Sequence, residues 1–349
     1  MSLYDAVKDL PLQVEAYDLD VRSLDVSSDF TRKTTTIRLV GSGAEGLGED
    51  VTYDAAEHDA QLVRGPVLPL EGEWTLDSFS RHLAGLALFE GEPQMHAFLD
   101  YRRWAFESAA LDLALRQSGR TLAQAVAREL RPLTYVVSMR LGEPPTLDGV
   151  KGWLELYPGL RFKLDATSDW TDDLVSELRE LGCVDSIDFK GQYRGTPVDQ
   201  APDPSLYRRV IDGLPDVWLE DPAIVDGTRE LLVEVAPQVT WDAIIHSVDD
   251  IEALPWPPKT VNVKPSRFGS IERLFAAYDY CEEQGIGAYG GGQFELGVGR
   301  GHIQYLAALF HADTPNDVAP GGFNLPVPAP GLPSSPLTVT PRETGFQAV

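Results

Sequence analysis

From Pro132 onward the chain repeats one unit, a short apolar run followed by an amphipathic helical stretch. The runs are TYVVSM, LRFKL, VDSIDF, VWLED, VTWDA, TVNVK and GIGAY, and the stretches between them include DDLVSELRELG and SIERLFAAYDYCEEQG. An antiparallel hairpin needs only a tight turn, whereas a helix between two strands serves as the crossover of a parallel pair. Repeated strand and helix units therefore predict a parallel sheet, and seven or eight of them predict a closed barrel.

The segment before this repeat has a different texture. Residues 34–40 (TTTIRLV) are β-branched, as a strand requires, and run into Gly41, Gly43 and Gly46. These glycines match G-x-G-x-x-G by spacing, but the dinucleotide fingerprint needs a helix to begin at once, so that its N-terminus can hold a pyrophosphate. Here the chain continues LGEDVTYD, a second strand, and a hairpin is the better reading. Residues 76–128 have helical spacing, with Gly119 as a helix end. The expected organisation is an α+β unit over 1–130 and a barrel over 131–319. The tail from 320 to 349 is expected to pack back on the first unit, and eight of the 26 prolines lie between Pro315 and Pro341.

Charge narrows the range of partners. With 54 Asp and Glu against 29 Lys and Arg, the net charge is −25, which disfavours nucleic-acid and membrane surfaces. Hydrophobic content of 43% is that of a globular chain. No apolar stretch approaches the roughly 18–20 residues of a membrane span, and MSLYDAVKDL lacks the features of a leader, so a cytoplasmic protein is expected. Cys183 and Cys281, both expected within helices, offer no disulfide framework or zinc spacing.

Seven of the 29 basic residues are Lys, and only lysine can give up its proton in a protein. Five consecutive strand candidates end on a charge: Lys163, Asp188, Glu220, Asp242 and Lys264, at separations of 25, 32, 22 and 22 residues. A parallel barrel gathers its C-terminal strand ends at one mouth, where barrel enzymes hold their active sites. Any one of these residues alone reads as a solvated strand end, but the ordered set of five reads as a site. Three carboxylates together repel unless a cation neutralises them, and hard oxygen ligands with open positions suit Mg²⁺ or Mn²⁺. A lysine beside that metal in a dry pocket is expected to have a lowered pKa and to serve as a general base.

At these residues the sequence resembles the enolase superfamily, in its muconate-lactonizing-enzyme-like subgroup. The resemblance rests on R-F-K at 161–163, D-F-K at 188–190, E-D-P at 220–222, W-D at 241–242, V-K-P-S-R-F-G at 263–269 and GGGQFELGVGR at 290–300. G-L-G-E at 46–49 and AALDLAL at 109–115 are similar to its capping domain. It implies a modified (β/α)7β TIM-like barrel under an N-terminal α+β cap, a homo-oligomer, and a metal on Asp188, Glu220 and Asp242. Lys163 and Lys264 would flank the α-carbon of a small carboxylate substrate, and proton abstraction would give a metal-stabilised enediolate. Racemisation or epimerisation, β-elimination or dehydration, and cycloisomerisation all start from that intermediate. The candidates within the subgroup are o-succinylbenzoate synthase-, N-acylamino acid racemase-, dipeptide epimerase- and muconate cycloisomerase-like activities, with specificity expected in cap loops 26–34 and 50–58.

The departures from the family pattern lie close to the chemistry. Arg161 replaces the first lysine of Lys-x-Lys and is expected to bind the substrate carboxylate. Lys190 stands where asparagine is common, facing either a metal acid or a substrate anion. Glu295 is open to a hydrogen-bond network or a substrate contact, and the 191–204 loop (GQYRGTPVDQAPDP) offers Tyr193 and Arg194. His246 and His302 read as ordinary loop or helix residues. Two other functions remain compatible with these residues, a Schiff-base lysine lyase or aldolase and a non-catalytic binding protein on the same scaffold.

Overall fold

The computed structural model describes residues 2–27, 30–196, 198–325 and 327–348. Ser28 and Asp29, inside the 26–34 cap loop, thus lie outside the described residues. The chain opens with β1 (Pro11–Val14), β2 (Ala16–Ser27), β3 (Phe30–Gly41) and β4 (Ala44–Asp50), followed by α1 (Ala55–Arg64), β5 (Gly72–Thr75), α2 (Leu76–Ala84), α3 (Ala97–Gln117) and α4 (Leu122–Ala125). Strands β2, β3 and β4 form an antiparallel meander, and β1 pairs with β5.

The glycine-rich stretch is the hairpin between β3 and β4, with Gly43 at φ +72° in its turn. The glycines that follow serve packing. A Cβ at Gly46 would lie 2.2 Å from Ala109 O and one at Gly48 1.9 Å from Ala105 O, so β4 accepts α3 directly against its backbone. Helix α3 is buried on nearly every face, including Arg102, Glu107 and Asp112, as a helix packed between the cap sheet and the short barrel helix Pro265–Phe268 must be. Its charges are matched: Arg102 Nε donates to Asp50 Oδ2 at 2.7 Å, and Ser80 Oγ donates to Glu107 Oε1 at 2.5 Å.

The repeat that follows consists of β6 (Val137–Arg140), α5 (Asp148–Leu156), β7 (Phe162–Asp165), α6 (Asp172–Leu181), β8 (Val184–Asp188), α7 (Pro204–Gly213), β9 (Trp218–Glu220), α8 (Arg229–Glu234), β10 (Val239–Trp241), α9 (Val248–Glu252), β11 (Thr260–Val263), α10 (Pro265–Phe268), α11 (Ile271–Gln284), β12 (Gly287–Gly290) and α12 (Val298–Phe310). Local chemistry sets the helix ends. Thr171 and Ser270 cap α6 and α11 by accepting from the Leu174 and Arg273 amides, and Gly182 and Gly285 end them in the left-handed conformation. All seven runs predicted as strands carry β6 to β12, which pair in sequence order as one parallel sheet.

Asn316 and Asp317 close the sheet into a barrel, through parallel bridges from Tyr135 to Asn316 and from Gly291 to Asp317. Buried Asn316 is the seam. It accepts from Gly290 N at 2.6 Å and donates from Nδ2 to Thr134 O at 2.9 Å, joining the first and last strand regions. The result is the (β/α)7β barrel under an α+β cap.

Two details differ from expectation. Cys183 lies between α6 and β8, outside any helix, because Gly182 has already ended α6; Cys281 is within α11. The tail first follows the barrel, where Tyr157 Oη donates to Ala329 O and Leu337 bridges Leu133. It then meets the first unit at Gly345–Gln347, where Asp112 accepts from Phe346 N and Gln347 Nε2. Among the described residues no helix is long and apolar enough to cross a membrane.

Arg32 and Glu49 are among the residues that tie cap to barrel. Arg32, fully buried, donates to Val51 O and Thr52 O on the cap, and to Gln293 O and Phe294 O after β12. Glu49, at the end of β4, accepts from the amides of Leu296, Gly297 and Gly299 at the start of α12, placing a carboxylate where a helix N-terminus favours one.

Candidate active site

Buried charges gather where β7 to β11 end: Asp188 and Glu220 close β8 and β9, Asp242 and Lys264 lie just past β10 and β11, and Lys163 sits two residues before the end of β7, which Asp165 forms. Lys163, on β7, donates to Glu220 Oε1, with Asp188 Oδ2 at 3.2 Å and Asp317 Oδ2 at 3.6 Å from its Nζ. Lys264, just past β11, donates to Asp242 Oδ2 at 2.9 Å. Parallel register accounts for the meeting: Asp188 pairs with Glu220, and Glu220 with Thr240, so consecutive strands stop at one level. A Cβ at Gly291 would lie 2.4 Å from Lys264 Cε, so that glycine makes room for the lysine stem.

Sequence reasoning missed four partners of this set. Arg267, in the first turn after Lys264, donates from Nη1 to Asp242 Oδ1 at 2.7 Å. Tyr289 Oη donates to Glu220 Oε2 at 2.8 Å, while Asp317 faces Lys163 from the closing bridge. Asp221 accepts from the amides of Asp242 and Ala243, both at 2.8 Å. The available signals were the arginine within V-K-P-S-R-F-G and the second acid of E-D-P. Nothing local marked Tyr289 or Asp317. Tyr193, already singled out by its loop, donates from Oη to Asp242 Oδ2 at 2.9 Å.

Of the expected substrate-binding residues, only Lys190 joins the set; its Nζ is 2.5 Å from Asp188 Oδ2 and 3.3 Å from Asp165 Oδ1. Arg161 does not. It sits one residue before β7, at the far end of the strand from the mouth, and its guanidinium is engaged by Asp185 Oδ1 and Gly182 O. Glu295 belongs to the cap–barrel seam, where its Oε1 accepts from Gln293 N at 2.7 Å and Arg300 Nη2 lies 3.3 Å from its Oε2. His302 is buried within α12 and His246 lies in a loop before α9.

The carboxylates of Asp188, Glu220, Asp221 and Asp242 face the cations of Lys163, Lys190, Lys264 and Arg267. Burial opposes the charge of Lys163, but Glu220 and Asp188 outweigh it and hold the ammonium well above the usual lysine value. This is opposite to the lowered value expected beside a metal, because here the lysine itself neutralises the acids. Burial, reinforced by Asp188, pushes Glu220 up against the pull of Lys163. Asp242 is held well below the carboxylate range, since Arg267 and Lys264 overcome its burial.

The donor chemistry fits a divalent cation. Asp188, Glu220 and Asp221 are all buried and bring carboxylate oxygens to within 4.8 Å of one another, a hard-oxygen group of the kind Mg²⁺ or Mn²⁺ takes. The structure thus groups Asp221 with the first two acids, while Asp242 is turned onto Arg267 and Lys264.

Two clefts lie outside this charged set. One cleft of about 720 Å³ runs between α6 and α7 on the outer wall, and another of about 430 Å³ lies between Arg22–Leu24 of the cap, Phe294–Leu296 and Asn324.

The capped (β/α)7β barrel has the fold of solved enolase-superfamily proteins, and two lysines lie among buried acids at its mouth. The chain belongs to the family described as domain of unknown function DUF8230, whose N-terminal domain matches residues 5–125 and whose C-terminal domain matches residues 129–325. It is 26% identical over 333 residues to an N-succinylamino acid racemase of Thermus thermophilus, covering 88% of this chain and 86% of the relative. It is also 26% identical over 300 residues to an o-succinylbenzoate synthase of Geobacillus stearothermophilus, covering 79% and 74%. Two crystal structures share the fold. An enolase-superfamily protein from Listeria innocua matches with a TM-score of 0.66 at 19% identity, over 89% of this chain and 86% of that one. A muconate cycloisomerase from Pseudomonas fluorescens matches with a TM-score of 0.59 at 19% identity, over 89% and 87%.

Proposed function

We propose that this protein removes the α-proton of a small carboxylate substrate, leading to racemisation or epimerisation, β-elimination or cycloisomerisation. The observation that carries the reading is the pairing of Lys163 with Glu220 and of Lys264 with Asp242, which puts an ammonium on each side of one carboxylate floor. In this reading residues 131–319 carry the chemistry and residues 1–130 cap it, in a cytoplasmic homo-oligomer.

Asp188 and Glu220, with Asp221 or Asp242, would hold Mg²⁺ or Mn²⁺, which when bound supplies Lewis-acid stabilisation of the negative charge that builds on the substrate carboxylate. Lys163 and Lys264 hold and move the proton, each at its Nζ, and a base on either face allows loss on one side and return on the other. Arg267 and Tyr193 fix the Asp242 carboxylate, and with it the position of Lys264. The cap closes over the mouth and limits water, held by the Arg32 and Glu49 contacts.

The names of the relatives supply the first substrates to try: N-succinylamino acids and precursors of o-succinylbenzoate. The test is deuterium uptake at the α-carbon in D₂O with Mg²⁺, followed by mass spectrometry over N-acylamino acids, dipeptides and cyclic acids. Uptake that EDTA abolishes is the expected result. No uptake from any of these compounds, with behaviour unchanged by EDTA, rejects the proposal; borohydride trapping of a carbonyl substrate would favour the Schiff-base alternative.

A further inference from the structure

Lys190 is the residue of the site that the reaction does not use. It is not glycine, yet its backbone is left-handed at φ +53°, a conformation that costs an L-residue energy unless its surroundings hold it. They do so through one acid. Lys190 N donates to Asp188 Oδ1 at 2.9 Å, and Lys190 Nζ to Asp188 Oδ2 at 2.5 Å, so a single residue engages both oxygens of the first acid of the candidate metal group. Gly191 preserves the turn, because a Cβ there would lie 2.4 Å from Ala223 N. The ammonium is held on two further sides, by Asp165 Oδ1 at 3.3 Å and by the Tyr193 ring, whose centroid is 5.0 Å away.

We propose that Lys190 is a tethered counter-ion competing with the divalent cation for Asp188, so that metal binds only as the Lys190 side chain swings away, and binds weakly. The inference rests on the metal reading above. Asp165 gives the displaced ammonium a place to go, because it already lies within ion-pair distance on the neighbouring strand. Removing the side chain should leave Asp188 Oδ2 facing Lys163 Nζ alone, at 3.2 Å, with the backbone donor to Oδ1 still in place.

The test is Mn²⁺ affinity, measured without substrate by the electron paramagnetic resonance of free Mn²⁺ and by calorimetry, on wild type, Lys190→Met, Lys190→Gln and Arg161→Met. Circular dichroism checks that each is folded, and two replacements at 190 guard against one that fails to fold. The expected result is at least tenfold tighter binding in the Lys190 variants, which is about 1.4 kcal/mol, and less than a twofold change in Arg161→Met, which removes a charge away from Asp188. Equal or weaker binding in folded Lys190 variants overturns the inference and leaves the metal reading standing. Equal tightening in Arg161→Met also overturns it, since the effect would then be one of overall charge. No binding by any of the four proteins overturns both.

Discussion

Lys264 Nζ donates to Asp242 Oδ2 at 2.9 Å across adjacent barrel strands, and Arg267 holds the other carboxylate oxygen at 2.7 Å. One buried acid therefore pairs with two cations. Asp242→Ala would leave both without their main partner, and breaking a buried pair from one side costs about 3–5 kcal/mol. Urea unfolding at neutral pH should show a loss of that size, together with the disappearance of α-proton exchange.

Lys163→Ala and Lys264→Ala should each reduce exchange by about 10²–10⁴-fold, the range of a general acid or base. If the two lysines serve opposite faces, each variant should still exchange one enantiomer of a racemisable substrate. Following D and L isomers separately by mass spectrometry distinguishes this from loss of a single shared base.

Arg32 joins cap to barrel through four backbone carbonyls. In Arg32→Met these carbonyls lose their donor, at about 1–3 kcal/mol for each left buried and unsatisfied. Stability should fall by at least about 3 kcal/mol, and limited proteolysis should cut first in the segments around Val51 and Gln293.

Burial lowers both His302 and His311 to about 4 in the folded protein, only partly offset by Asp112 and by Asn316 respectively. The unfolded chain binds these protons below about pH 6.5, while the folded chain resists them down to about pH 4. Their contribution to stability is thus complete above pH 6.5 and is lost as pH falls towards 4, at about 1.4 kcal/mol per pH unit for each site. Among the described residues His302 has no partner for either ring nitrogen, and it stacks on Phe346 with centroids 4.3 Å apart. His302→Leu should therefore flatten the decline between pH 6.5 and 5 in urea titrations.

The barrel strands and the ordered charges at their ends were legible because they rest on local period and on spacing along the chain. The cap hairpin was legible for a similar reason: LGED continues as strand, to the end of β4 at Asp50, where a nucleotide-binding turn would need a helix. The same reasoning misplaced Arg161, which shares strand parity with Lys163 but lies two residues earlier, at the level of Asp185 and Gly182. Strand parity predicts a face and not a depth in the barrel. It also missed Asp317 and Asn316, since two residues that close a sheet have no period of their own.

The sequence by itself determined the parallel barrel, the hairpin before it and the five charges at consecutive strand ends, because alternation and residue type act over a few positions. Tertiary structure alone decided which charges meet. Arg32 reaches carbonyls 261 and 262 positions away, and Asn316 one 182 positions away. Lys190 folds back on Asp188 only because the loop beyond it packs on Ala223 and Asp242. Such contacts depend on sheet register, on closure of the barrel and on the fit of cap to mouth, which arise only when distant segments share one core.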